Sequence, residues 1–291
     1  MITFVFLGGV LLILVFATAL LVFLIRGDQI ITVGSRVALI HLEGTLMDSQ
    51  PTLKVLERYA KDRSVRAIVM RIETPGGAIG PTQEIFGAVR ELNQKKRIIA
   101  SMGSVAASGG YYVACGAERI FANPGTITGS IGVIVHFANL EKLLETIGVE
   151  GEVIKSGDYK DMGSPYRGLT PRERALLQEL IDDVHGQFIE AVASSRDLPT
   201  ERVRSLADGR IFSGRQAKEL GLIDELGGLQ EAIQEAARLA GIEGEPRVVE
   251  EPKEKFSLLD LVLGKTIGRI LPAADPKVPF IGYLYHHSLS F

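Results

Sequence analysis

The chain has 291 residues, 46% hydrophobic and 23% charged, with a net charge of −3. That suits one generous globular domain with attachments, and the near-neutral balance offers no electrostatic footprint for nucleic acid. One cysteine, Cys115, excludes an intrachain disulfide and a thiolate cluster; the five histidines (His41, His136, His185, His286, His287) include no HExxH pair, so no metal or other cofactor is expected.

Residues 2–25, ITFVFLGGVLLILVFATALLVFLI, carry no charge. A run of ~20 apolar residues crosses a bilayer as a helix, so residues 1–26 are expected to form an uncleaved transmembrane anchor. Ala17-Thr18-Ala19 resembles the small-residue site of a cleaved signal peptide, but the apolar run continues beyond it and no basic residue precedes it. Arg26 and Arg36 alone would place the following chain in the cytoplasm by the positive-inside rule, a bias of two charges with Asp28 between them. Residues 27–35 read as a juxtamembrane linker to a domain spanning 36–244.

Within that domain, strands are predicted at Val37 to Leu42, Ala67 to Ile72, Arg97 to Ser101, Ile120 to Ala122, Ile127 to Val135 and Glu152 to Lys155. Helical spacing covers Leu53 to Ala60, Pro81 to Leu92 and Leu140 to Ile147, and a further helix opens near Ser108. The alternation implies an α/β layered domain with largely parallel pairing. Thr170-Pro171-Arg172-Glu173 is a capping box with proline at the first helical position, opening a helix to about Ser195. Shorter helices follow at Thr200 to Leu206, Ser213 to Leu220 and Leu229 to Ala240. Residues 245–291 read as a C-terminal extension that begins with a Pro- and Glu-rich linker at 245–255. Phe256 to Ile270 then has the character of an amphipathic helix.

The stretch ASMGSVAASGGYYVAC, Ala100 to Cys115, places Ser108 at a strand-to-helix turn among small residues. One reading makes Ser108 a plain N-cap. The other makes it a nucleophile: Gly109 and Gly110 leave backbone N–H groups bare, and the Gly109 amide is placed to bind an oxyanion. A second donor is available at Pro75-Gly76-Gly77, where a neighbouring strand ends and glycine permits close backbone approach. A serine hydroxyl needs a base. His136 is one candidate, although no acid at a suggestive spacing completes a triad. Lys160 is the other, and a neutral lysine requires an apolar pocket and a hydrogen bond to the amine. Asp158 and Asp161 flank it, so this role requires both carboxylates to turn away; otherwise Lys160 is a solvated loop lysine.

Four motifs in order resemble the signal peptide peptidase A family of membrane-bound serine–lysine proteases. They are Glu73-Thr74-Pro75-Gly76-Gly77, the run Gly103 to Tyr112 around Ser108, Thr128-Gly129-Ser130-Ile131-Gly132-Val133, and Ser156-Gly157-Asp158-Tyr159-Lys160-Asp161. The resemblance covers about residues 36–240, and the N-terminal apolar run fits it. It implies a ClpP/crotonase-like fold of repeated ββα units with a helical C-terminal part. Ser108 would be the nucleophile, Lys160 the general base and Ser130 the residue that orients the lysine amine; Gly109 and Gly77, or Gly76, would be oxyanion donors. It further implies the single-copy short form, a homo-oligomeric ring, a catalytic domain outside the cytoplasm on a single-pass anchor in the cell membrane, and apolar peptide substrates such as cleaved signal peptides. The alternatives are a crotonase-fold protein acting on acyl thioesters, a non-catalytic ring-forming scaffold, or a related membrane protease with a different substrate.

Overall fold

The computed structural model describes residue 14, residues 35–251 and residues 281–284. The expected anchor therefore lies outside the described residues except for Leu14, which is helical, and the expected helix at Phe256 to Ile270 lies outside them entirely. Among the described residues, no helix is long and apolar enough to cross a membrane.

The unit beginning at Ser35 is built on one large sheet and has a second of three strands. The large sheet runs through β1 (Arg36–Glu43), β2 (Val65–Thr74), β4 (Arg97–Ala107), β5 (Arg119–Ala122), β9 (Glu225–Leu226) and β10 (Arg247–Glu250), paired in parallel in the order β10-β1-β2-β4-β5-β9. Between them run α1 (Gln50–Lys61), the short strand β3 (Gly76–Ala78) with α2 (Ile79–Asn93), and α3 (Gly109–Ala114). Each parallel pair needs such a crossover, because a tight hairpin cannot join parallel neighbours. The far end of β4 also pairs in parallel with β6 (Ile127–Gly129), which pairs antiparallel with β8 (Ile211–Ser213).

The strands are apolar almost without interruption because both faces of the sheet are covered. Ala38, Ile40, Ile68, Met70, Ile98 and Ala100 face one core; Val37, Leu39, Ala67, Val69, Ile99 and Phe121 face a second, packed with Ala232, Ile233, Ala236 and Ala237 of α8 (Leu229–Leu239). This period-two split puts helices on each side. The remaining elements are β7 (Ile134–Val135), α4 (Glu141–Thr146), α5 (Pro171–Arg196), α6 (Thr200–Arg204), α7 (Gly214–Glu219) and β11 (Ile281–Leu284).

Three expectations are corrected. Glu152 to Lys155 is not a strand: the segment is irregular and exposed, with no sheet edge beside it, and Ile154 is 95% exposed. The expected linker at 245–255 contains β10, because Arg247–Glu250 extends the sheet along β1. The predicted strand Ile127 to Val135 also divides into β6 and β7, with the positive-φ residues Gly129 and Ser130 at the break.

The Thr170 capping box forms as expected and opens α5. At the other end of that helix, both terminal nitrogens of Arg196 reach Asp224, each at 2.8 Å, and Nε donates to the Gly221 carbonyl. Asp224 Oδ2 also accepts the Ile120 N–H, so this pair fastens α5 to the edge of the sheet. Removing one member of a largely desolvated pair leaves the other uncompensated. Arg196→Met is therefore expected to lower unfolding free energy by about 3 kcal/mol, read as a lower urea midpoint at unchanged slope; an unchanged midpoint would contradict this assignment.

Candidate active site

The site gathers at the carboxyl ends of β2, β4 and β6, where open parallel sheets bind ligands. Its first cause is a bulge in β4. Ile72 of β2 pairs with Met102, but the next registered pair is Thr74 with Ala106, so β4 carries extra residues. The Glu73 carboxylate accepts the N–H groups of Ser104 at 2.9 Å and Val105 at 3.0 Å within this bulge. A Cβ at Gly103 would overlap the Glu73 carboxylate, which accounts for glycine there. Beyond the bulge β4 leaves β5 and pairs with β6, Ala107 opposite Gly129. Thr126 and Thr128 hydroxyls donate to the Gly103 and Ala106 carbonyls, each at 2.7 Å, and tie the two strands together.

Ser108 follows at φ 51°, ψ −115°, a left-handed backbone that a non-glycine residue holds at a cost of about 1–3 kcal/mol. Its N–H donates to the Gly129 carbonyl at 2.8 Å, and its carbonyl accepts the Tyr112 N–H at 2.9 Å as α3 begins. Its Oγ is buried and has no hydrogen-bond partner. Ser130 also has φ 51°, and its N–H donates to the Arg210 carbonyl at 2.8 Å. Two serines on adjacent strand ends thus share the same positive φ.

The oxyanion candidates come together. A Cβ on Gly109 would lie 3.1 Å from Gly76 Cα and 3.2 Å from Gly77 N, so the Pro-Gly-Gly turn and the head of α3 abut. Thr74 fixes the turn: its hydroxyl bonds the Gly44 carbonyl and accepts the Gly76 N–H at 3.0 Å. Gly76 has φ 107°, and a Cβ on Gly77 would overlap the Leu46 carbonyl. Leu46 N–H donates to Gly76 O at 2.9 Å and Ala78 N–H to Leu46 O at 2.8 Å. That pairing takes one edge of β3 and turns the amide of Gly77 to the other.

Thr82 was not foreseen. Its Oγ1 is buried without a partner and would lie 2.9 Å from a Cβ on Gly109. A buried unpaired hydroxyl costs about 1–3 kcal/mol, and the described residues concentrate two, Thr82 and Ser108, at one spot. Sequence offers no signal for Thr82, which reads as an ordinary helix residue. Beside Ser130 a cavity of about 490 Å³ is lined by Val133, His136, Asp182, His185 and Asp208 among others. His136 therefore sits near Ser130, and it is not bonded to the Ser108 hydroxyl.

Lys160 makes no hydrogen bond to the Ser108 hydroxyl. It lies exposed in a turn whose backbone closes by Lys160 N–H to Gly157 O at 3.1 Å. The carboxylate beside it is engaged elsewhere: Asp161 accepts from Lys155 at 2.7 Å and from Arg167 at 2.7 and 2.8 Å. Arg167 also spans to Glu173 at 2.5 and 2.8 Å, inside the capping box of α5. Hydrogen bonds from Arg167 and then Lys155 hold Asp161 well below the usual carboxylate range. Arg167 and the Thr170 amide bring Glu173 down to about 2. Of the two acids flanking Lys160, Asp161 is thus turned away.

The profile of Peptidase family S49 matches residues 90–243. A Synechocystis sp. protein provisionally named protease slr0021 is 46% identical over 75% of this chain and 80% of its own. Serine protease SPPA, chloroplastic, of Arabidopsis thaliana is 35% identical over 81% of this chain and 36% of its own. Protease 4 of Haemophilus influenzae is 30% identical over 80% of this chain and 40% of its own. The chain spans under half the length of the last two.

The Arg167 clamp has a definite pH signature. Both carboxylates titrate lower when folded, so their contribution is complete above the ordinary carboxylate range and is lost as pH falls through their depressed values. Amide exchange in residues 155–170, corrected for intrinsic rate, is expected to accelerate between about pH 5 and about pH 2. Arg167→Leu should show the faster exchange already at neutral pH, and equal exchange in the two chains would dismiss the clamp.

Proposed function

This chain belongs to peptidase family S49, and on that premise we propose that it is a membrane-tethered serine endopeptidase that cuts apolar peptides, remnant signal peptides among them, through a Ser108–Lys160 dyad. The observation that carries the reading is the Ser108 hydroxyl: buried, unbonded, and presented by a strained turn against Gly109 and the Gly76-Gly77 backbone. A plain N-cap would spend its oxygen on an amide of its own helix; Ser108 makes no such bond.

Ser108 Oγ attacks the scissile carbonyl and gives its proton to the neutral Lys160 amine, which Ser130 orients. Negative charge on the carbonyl oxygen falls between the amides of Gly109 and Gly77, donors that each typically supply about 3 kcal/mol of transition-state stabilisation. Lys160 returns the proton to the leaving amine, and water then attacks the acyl-enzyme by the same route. The unit β2-β3-α2 supports the ClpP/crotonase-like assignment, since its short second strand carries the oxyanion turn.

A neutral amine needs desolvation, and Lys160 is exposed in the single chain. Leu143, Ile147, Val153, Ile154 and Tyr159, in the stretch of chain leading to it, are exposed as well. Apolar patches of this kind mark protein interfaces. We assign this face to a second copy of the chain in a ring, whose contact dries the lysine. The charge-free residues 2–25 would hold that ring to the membrane, with the domain outside the cytoplasm.

Ser108→Ala and Lys160→Ala are each expected to lower kcat on an apolar fluorogenic peptide by about 10³-fold or more, with circular dichroism and oligomer size unchanged. Turnover preserved in pure Lys160→Ala protein would remove the lysine from the mechanism. Ile154→Glu is expected to shift sedimentation from ring to monomer and to remove activity with it; an active monomer would refute the assembled site.

A further inference from the structure

The described residues hold four buried threonines: Thr74, Thr82, Thr126 and Thr128. Three of them use their hydroxyls within the chain. Thr74 bonds the Gly44 carbonyl, and Thr126 and Thr128 donate to Gly103 O and Ala106 O, each at 2.7 Å. Thr82 is the exception. It is fully buried in the first turn of α2, and its Oγ1 has no hydrogen-bond partner. A helical threonine ordinarily returns its hydroxyl to the carbonyl three or four residues back; Thr82 makes no such bond.

The position of this idle donor suggests its use. The point where a Gly109 side chain would begin lies 2.9 Å from Thr82 Oγ1 and 3.2 Å from Gly77 N. Thr82 therefore adjoins both residues whose amides are assigned to the oxyanion. The other buried hydroxyl without a partner is Ser108 Oγ, one residue before Gly109. An unbonded nucleophile is explained by the carbonyl it attacks. An unbonded donor beside it calls for an acceptor that arrives with the same group. Valine in place of Thr82 would remove the unpaired oxygen at nearly the same volume and favour the folded chain. The hydroxyl thus works against stability at rest.

We propose that Thr82 is a third oxyanion donor, a catalytic residue that touches the reacting carbonyl. When Ser108 Oγ bonds to the scissile carbon, the carbonyl π pair moves onto oxygen and the Ser108 proton passes to Lys160. The Thr82 hydroxyl then donates to that oxygen, beside the amides of Gly109 and Gly77. A donor aimed at the charged oxygen acts in the transition state, so its loss falls on kcat. The proposal rests on the protease reading given above.

In full-length protein, Thr82→Val is expected to lower kcat on an apolar fluorogenic peptide about 100-fold with KM within about twofold, while its urea midpoint rises. Thr82→Ser keeps the oxygen and should hold kcat within about threefold of the parent. An apolar peptide aldehyde, which Ser108 converts to a tetrahedral adduct, should bind Thr82→Val about 100-fold more weakly. The matching peptide alcohol forms no adduct and should bind both chains alike. Parent-like kcat in Thr82→Val, with Ser108 still labelled by a fluorophosphonate, would overturn the proposal and leave the serine chemistry standing. Equal weakening of aldehyde and alcohol would make Thr82 a ground-state contact and overturn it as well. A lowered urea midpoint, or a Thr82→Ser chain as slow as Thr82→Val, would show a packing role and do the same. No labelling of Ser108 in the parent would remove the protease reading and the proposal with it.

Discussion

The Glu73 carboxylate, accepting two successive amide hydrogens of β4, is the contact on which the geometry of the site turns. Without an acceptor there, the Ser104 and Val105 amides would lose their protein partner, and the bulge would lose the contact that holds it. With it, the tip of β4 crosses to β6, Ser108 meets Gly129, and the left-handed turn at Ser108 is fixed from both sides. The strain at Ser108 is sustained because rigid parallel strands surround it, with Ala106 and Ala107 fully buried just before it. A residue on an unsupported loop would not hold such a backbone.

The two halves of the proposed dyad are built on contrasting material. Ser108, Gly109 and the Gly76-Gly77 turn belong to the core, where glycine is enforced by collision and every neighbour is packed. Lys160 belongs to an exposed segment whose order comes from charge: Lys155, Asp161, Arg167 and Glu173 form one continuous ionic chain to the head of α5. That chain engages the acid next to the lysine in sequence. A carboxylate left free there would favour the ammonium form and oppose its use as a base.

Much of this was legible in the residues. The strands of the central sheet are near-continuous apolar runs, and the Thr170 capping box announced α5 outright. The Gly109 and Gly76-Gly77 pairing was readable from two glycine loops at strand ends, although their mutual distance was not. What escaped had physical reasons. Arg247–Glu250 is a four-residue edge strand flanked by proline and glutamate, so composition hid its pairing with β1. Val153 and Ile154 looked like strand because apolar β-branched residues suit strands, yet they are exposed and pair with no strand. Thr82 and the role of Glu73 depend on contacts across the sheet that no local pattern encodes. The N-terminal apolar run and the amphipathic stretch after Phe256 lie outside the described residues.

The parallel pairing of β1 with β10 joins Arg36 to Arg247, almost the two ends of the domain. During synthesis β1 emerges early and its outer edge stays bare until nearly the whole domain has left the ribosome. An apolar strand with an open edge invites pairing with other chains, and such distant closures are slow. The nascent protein therefore passes through a long interval in which its sheet can recruit a foreign strand, and chaperone protection of that edge is a cost built into the topology.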